Sequence, residues 1–233
     1  MIVTPIKTRV FKEHESIVDF VHAYLPNVTE GSVVVITSKI VALAEGRTRE
    51  NTAKNSLEKA VKDESESAFK TKYAWFTIKD GTVVANAGVD ESNADGKLVL
   101  LPRDSFAAAQ AIRADLRRIY NVKKLGVLIT DSRLLPLRAG VVGLALGYAG
   151  FKGIREYRGK PDIFGRTMKL SRTDVADSLA TAAVLEMGEG RERMPLAIIE
   201  GARIEFANTV DCSELKISVE DDIYRLMFTN KTK

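Results

Sequence analysis

Four apolar runs closed off by turn residues do most to limit what this chain can fold into: Gly31 to Val41, Tyr73 to Gly88, Leu125 to Thr130 and Leu196 to Glu200. Short runs rich in β-branched residues read as strands. The second carries Asp80-Gly81 between two alternating halves. That pair accepts the positive φ of a tight turn, so the segment is predicted to be a hairpin. Helical segments intervene without strict strand-helix-strand alternation. The expected fold is therefore α+β, with mixed, largely antiparallel sheets and packed helices, rather than a doubly wound parallel sheet.

Helical spacing is clearest from Asp104 to Tyr120, where Phe106, Ala109, Ile112, Leu116 and Tyr120 recur at three- and four-residue steps. A second helix is predicted from Thr173 to Met187, with Val175, Leu179, Ala182 and Ala183 inward and Ser171 or Thr173 near the cap. Further helices are expected at Glu15 to Tyr24, Ser56 to Phe69 and Val219 to Met227. Between Phe151 and Arg172 the chain carries seven Lys or Arg against two acids, interrupted by Gly153, Gly159, Pro161 and Gly165. It reads as a cationic loop. A chain of 233 residues holds one domain or two interlocked subdomains, and 1–233 is taken as a single unit.

Composition narrows the chemistry. The most lipid-like stretch, Ala139 to Gly150, is glycine-rich and falls well short of the ~20 residues needed to span a bilayer. No membrane span is expected, and without a recognisable secretory signal the expected location is cytoplasmic. A single cysteine, Cys212, excludes an internal disulfide and any multi-thiolate metal centre. His14 and His22 are the only histidines. A bound metal must then be held by oxygen ligands, which suits magnesium or manganese (Mg²⁺ or Mn²⁺) rather than zinc. Neither a P-loop nor a Gly-x-Gly-x-x-Gly after a strand occurs, so any nucleotide is held by another device. A Gly-x-Ser-x-Gly elbow is also missing.

Acidic residues at the ends of apolar strands stand out instead. Val127-Leu-Ile-Thr-Asp131-Ser132 sets a carboxylate between two hydroxyls, and Val84-Ala-Asn-Ala-Gly-Val-Asp90-Glu-Ser-Asn93 repeats the idea with an amide. Met187-Gly-Glu189-Gly190 follows a helix, where flanking glycines let backbone approach a ligand. Each alone reads equally well as a turn or a helix cap.

Together, and in order, Ser38-Lys39 with Ala44-Glu45-Gly46-Arg47, Asn86 to Asn93, Thr130-Asp131-Ser132, Gly140-Val-Val-Gly143, Gly165-Arg166 and Met187 to Gly190 resemble the F420-0:gamma-glutamyl ligase family. The likeness spans nearly the whole chain. It implies a reaction dependent on GTP or ATP in which an acceptor carboxylate is phosphorylated and the amine of glutamate displaces phosphate. By the same resemblance, Asp90 and Asp131 match the ligands of one Mg²⁺ or Mn²⁺ and Ser132 and Glu189 those of a second, so Asp90, Asp131 and Glu189 are the expected catalytic set. Thr8 to Phe11 (Val10 and Phe11 in particular), Ser38, Lys39, Asn93 and the backbone around Met187 to Met194 (Met187, Gly188 and Gly190 in particular) match nucleotide contacts. The family's relatives are intertwined homodimers, and a homodimer is expected.

The chain also departs from that pattern. Where the family reads Thr-Asp-Thr-Asn-Gly-Arg, this chain has Thr130-Asp131-Ser132-Arg133-Leu134-Leu135-Pro136-Leu137-Arg138, and a family lysine aligns with Leu43. The expected acceptor side is therefore altered, with folate or a peptide carboxylate as alternatives to F420-0. Arg138, Arg155, Arg158 and Arg166 are the candidate acceptor-binding residues, since arginine forks suit carboxylates. Two rival readings are a nucleic-acid-binding surface built on Arg155, Arg158, Lys160, Arg166, Lys169 and Arg172, and a relative that binds nucleotide without turnover. The first is weakened by the lack of aromatics for base stacking beyond Tyr157, with Phe151 and Phe164 assigned to packing.

Overall fold

The computed structural model describes residues 1–226. In chain order the elements are β1 (Ile2–Ile6), α1 (Ile17–Tyr24), β2 (Ser32–Thr37), α2 (Ser38–Ala44), β3 (Thr48–Glu50), α3 (Ser56–Glu64), β4 (Ser67–Lys70), β5 (Trp75–Lys79), β6 (Thr82–Ala85), β7 (Lys97–Val99), α4 (Ser105–Tyr120), β8 (Leu125–Leu134), β9 (Val141–Ala149), β10 (Ile154–Glu156), β11 (Arg172–Asp174), α5 (Val175–Met187) and β12 (Leu196–Glu200). A five-stranded sheet in the order β1-β12-β2-β8-β9 forms the centre. Only β2 and β8 run parallel in it, and its other three pairings are antiparallel. The smaller sheets, β4-β5-β6, β3-β7 and β10-β11, are antiparallel throughout. This is the α+β architecture that the hairpin and the irregular alternation required.

The apolar runs become strands because both faces of the central sheet are covered. On one face Val34, Ile36, Val127 and Ile129 pack with Ile112 and Leu116 of α4 and Phe20 and Val21 of α1. On the other, Val33, Val35 and Leu128 meet Ala176, Leu179, Ala180 and Ala183 of α5. Small residues on α5 and glycines on β9 allow very close contact. A Cβ at Gly143 would sit 2.2 Å from the Ala180 carbonyl, and one at Gly147 would sit 2.3 Å from the Ser105 carbonyl carbon. A separate small core forms where α3 covers Ala87, Val89, Leu98 and Leu100.

Several boundaries differ from expectation, each for a physical reason. Gly31 to Val41 is a strand only as far as Thr37; Ser38–Ala44 is helix α2, because a continuous apolar run is compatible with either state. The helix expected to run to Phe69 stops at Glu64, since Ser65 is extended and β4 pairs with β5. The fifth helix starts at Val175 rather than Thr173, and its cap is Asp174, whose side chain accepts the N–H of Asp177. The glycine-rich Ala139 to Gly150 segment contains β9, and the supposed cationic loop is an arm whose base is the β10-β11 ribbon. Of the helix expected at Val219 to Met227, Met227 lies outside the described residues, and residues 219–221 and 223–224 are turns. The Asp80-Gly81 hairpin and α4 are as expected, except that α4 starts at Ser105 and Asp104 is its cap, accepting the N–H of Ala107.

Candidate active site

Strand β8 does not end at Thr130 but runs to Leu134, with a break in register against β9 between Ile129 and Thr130. The extra residue is Leu146 on β9, so it is β9 that is bulged, and such irregularities favour functional sites. Here Asp131 and Ser132 come to line a cavity of about 550 Å³ beside the carboxyl ends of the parallel strands β2 and β8. Ser38 and Lys39, directly after β2, form a second wall; Asp90 and Asn93 a third; Met187 to Pro195, after α5, a fourth; and Thr8 to Phe11 close it. The backbone ties these walls together. The N–H of Thr8 donates to Arg193 O at 2.9 Å, that of Thr37 to Pro195 O at 3.0 Å, and Asp90 exchanges backbone bonds with Val99.

The carboxylates are unequal. Lys39 Nζ lies 2.6 Å from Asp90 Oδ2 and donates to Ser92 O at 2.8 Å, while the N–H and hydroxyl of Ser92 both donate to the Asp90 carboxylate. Burial alone would push Asp90 up, but Lys39 and Ser92 together hold it below its ordinary value. Asp131 goes the other way. It receives the Ser132 N–H at 2.9 Å, yet burial, reinforced by the charges of Asp90 and Glu189, raises it to about 6. Glu189 is also raised, mainly by burial, against the pull of the Ser132 hydroxyl. Three acids thus share one field in which a cation is favourable.

Asp90, Asp131, Ser132 and Glu189, together with Val10, Phe11, Ser38, Lys39, Asn93, Met187, Gly188 and Gly190, all line this cavity. The arginines singled out for an acceptor do not. Arg138 sits at the exposed tip between β8 and β9, and Arg166 in the exposed part of the arm. Arg158 grips Glu156 with both Nε and Nη2, and Arg155 donates to the Arg203 carbonyl. Arg155, Lys152 and Lys160 instead line a separate cleft of about 170 Å³. Phe164, assigned to packing, is 88% exposed, whereas Phe151 is buried. Neither His14, His22 nor Cys212 lines the main cavity.

Arg9, Arg191 and Arg193, within the Thr8 to Phe11 and Met187 to Met194 segments matched to nucleotide contacts, add positive charge to the cavity rim, and Arg9 is tied to Glu15 at 2.8 Å. Sequence reasoning missed Ile40 and Leu101, apolar lining residues that nothing nearby in the sequence distinguishes from core.

Residues 5–201 match the model of the family described as F420-0:Gamma-glutamyl ligase. The chain belongs to this family. Among curated relatives it is similar to the coenzyme F420:L-glutamate ligase of Methanocaldococcus jannaschii, at 32% identity over 216 residues covering 85% of this chain and 86% of that protein. The Archaeoglobus fulgidus ligase of the same name is 33% identical over 84% of this chain and 85% of its own length. The Methanothermobacter thermautotrophicus ligase, again of that name, is 36% identical over 74% and 75%. This F420-0:gamma-glutamyl ligase family member is accordingly a ligase. Among its described residues no helix is long and apolar enough to cross a membrane.

Proposed function

We propose that the protein joins L-glutamate, or a similar amino acid, to a small acidic acceptor through an acyl phosphate, using GTP or ATP and divalent magnesium or manganese. The observation that carries this is the confluence of Asp90, Asp131, Ser132 and Glu189 with the expected nucleotide-contacting residues in one cavity. In this reaction an acceptor carboxylate oxygen attacks the terminal phosphorus and the bond to the nucleoside diphosphate breaks. The amine then attacks the acyl carbon, loses its proton and displaces phosphate.

The donor chemistry fits Mg²⁺ or Mn²⁺. All candidate ligands are oxygens, and Asp131 is raised partly by two neighbouring carboxylates whose repulsion a cation relieves. No cluster of three or more His, Cys, Asp or Glu spaced around one ion is present among the described residues. Mg²⁺ typically takes one or two carboxylates and completes its shell from phosphates and water. Asp90 with Asp131, and Ser132 with Glu189, are the two pairs that would hold metal. Divalent ions bound there neutralise phosphate charge and align in-line transfer.

The chain's own groups would do the rest. Lys39 is a point charge that would exchange Asp90 for a phosphate oxygen, and Arg191 and Arg193 offer forks for a second anion. Val10, Phe11, Ile40 and Leu43 form an apolar wall against which a base can lie. Mass spectrometry of reactions containing glutamate, Mn²⁺, GTP or ATP and a panel of F420-0, folates and acidic peptides tests the proposal. A product heavier by one glutamyl residue, formed only with nucleotide and metal, is the expected result. No product with any acceptor, from protein that also fails to bind nucleotide, would refute it.

We further propose that the protein works as a homodimer. Ile163, Phe164 and Leu170 on the arm beyond β10 are each about nine-tenths exposed, an apolar surface suited to a second copy. Arg138, Arg155, Arg158 and Arg166 serve an acceptor only across such an interface. Light scattering on a sizing column should give twice the chain mass for the parent and the single mass for Phe164→Asp, with unchanged circular dichroism. A monomeric parent at tens of micromolar contradicts this.

A further inference from the structure

Arg133, where the chain departs from its family's pattern, does not line the cavity. One residue beyond Ser132, it turns toward α5, and its Nη2 lies 2.7 Å from Asp177 Oδ2. The other oxygen of Asp177 accepts the Ala145 N–H of β9 at 2.8 Å, so a single carboxylate ties the first turn of α5 to both strands. Asp174, the helix cap, is raised to about 6 by burial and by Asp177, and the Arg133 charge opposes that rise. Arg133 is thus a cation facing two carboxylates. Its Nε is buried without a hydrogen-bond partner. An orphaned buried donor is destabilising, which argues that stability alone does not account for this placement.

The opposite end of α5 carries Glu189 just past Met187, and Glu189 and Ser132 line the same cavity. We propose that the Arg133–Asp177 pair is a positioning device: it sets the angle of α5 across β8 and β9 and so holds Glu189 against Ser132. At ~1.5 Å per residue, a helix of 13 residues is about 20 Å long, and a tilt of about 3° at one end moves the other by about 1 Å. Displacements of that size are enough to cost about 100-fold in a preorganised site. The inference rests on the proposed role of Ser132 and Glu189 as metal ligands.

The test is a Mn²⁺ titration in the presence of GTP, read by electron paramagnetic resonance of free Mn²⁺, alongside melting temperature and turnover. Arg133→Met should weaken Mn²⁺ binding by about 10–100-fold, the range for groups that orient metal ligands, and lower kcat more than it raises the nucleotide KM. Arg133→Lys should recover part of both. The double variant Arg133→Met with Asp177→Asn removes the carboxylate paired with Arg133, and with it the charge that repels Asp174, while keeping the acceptor for Ala145, and should regain melting temperature without regaining Mn²⁺ affinity. Parental Mn²⁺ affinity in Arg133→Met, or recovery of affinity together with melting temperature in the double variant, would overturn the positioning role. A parent that binds no Mn²⁺ with nucleotide would instead overturn the reading of the site itself.

Discussion

Asp131→Asn is expected to abolish metal-dependent ligation while leaving the fold intact. The substitution keeps the side-chain volume and the acceptor for the Ser132 N–H but deletes the charge that faces Asp90 and Glu189. Groups that merely orient a metal ligand contribute about 10–100-fold, so on the proposed role of Asp131 as a direct ligand its loss should cost about 100-fold or more. The stability change has a definite sign. A carboxyl raised to about 6 is one whose ionised form the fold disfavours, and at pH 7 in metal-free buffer that cost is present in the parent and absent from the Asn variant. The variant should therefore melt no lower than the parent there. Unchanged turnover would remove Asp131 from the chemistry, and a large drop in melting temperature would make it a structural residue instead.

The second large effect is expected at Gly143. A Cβ there would lie 2.2 Å from both the carbonyl carbon and oxygen of Ala180 and 2.5 Å from Thr181 N. All three are backbone atoms, so no flexible side chain can yield and α5 itself must lift from β9. Overpacking of a close contact costs about 1–3 kcal/mol, and Gly143→Ala belongs at the upper end because the Thr181 hydroxyl bond to Gly143 O is strained as well. At roughly 2–4 °C per kcal/mol for a chain of this size, a fall in melting temperature of about 6–12 °C follows. Ligation should fall too, since the displaced helix carries Glu189. A variant with parental melting temperature would show that strand and helix are not this close.

Much of the scaffold was legible because its signals are local. Asp80-Gly81, the spacing of Phe106 to Tyr120 and the β-branched run at Val33 to Ile36 each encode their element within a few residues. What escaped depends on partners far along the chain. Ser38 to Ala44 is as apolar as the strand before it, and only its packing decides for helix. The glycine-rich run that contains β9 was read only as a lipid-like stretch too short to span a bilayer, yet its glycines are there because α4 and α5 approach it too closely for side chains. The acidic side chains and the expected nucleotide contacts were found through collinear motifs. Arg133 was read as part of an acceptor loop because nothing nearby in sequence reveals Asp177. The exposed arginines of the arm illustrate the converse: composition marks a charged segment but not the direction in which it projects.

The cavity draws its walls from residues 8–11, 37–43, 88–101, 130–132 and 184–195, and no one of these stretches supplies even half of it. A ligand lodged there behaves as a removable cross-link among five distant stretches of chain, and its binding energy is added to the unfolding free energy of the entire sheet rather than to one loop. Occupancy and global folding become two readings of the same equilibrium.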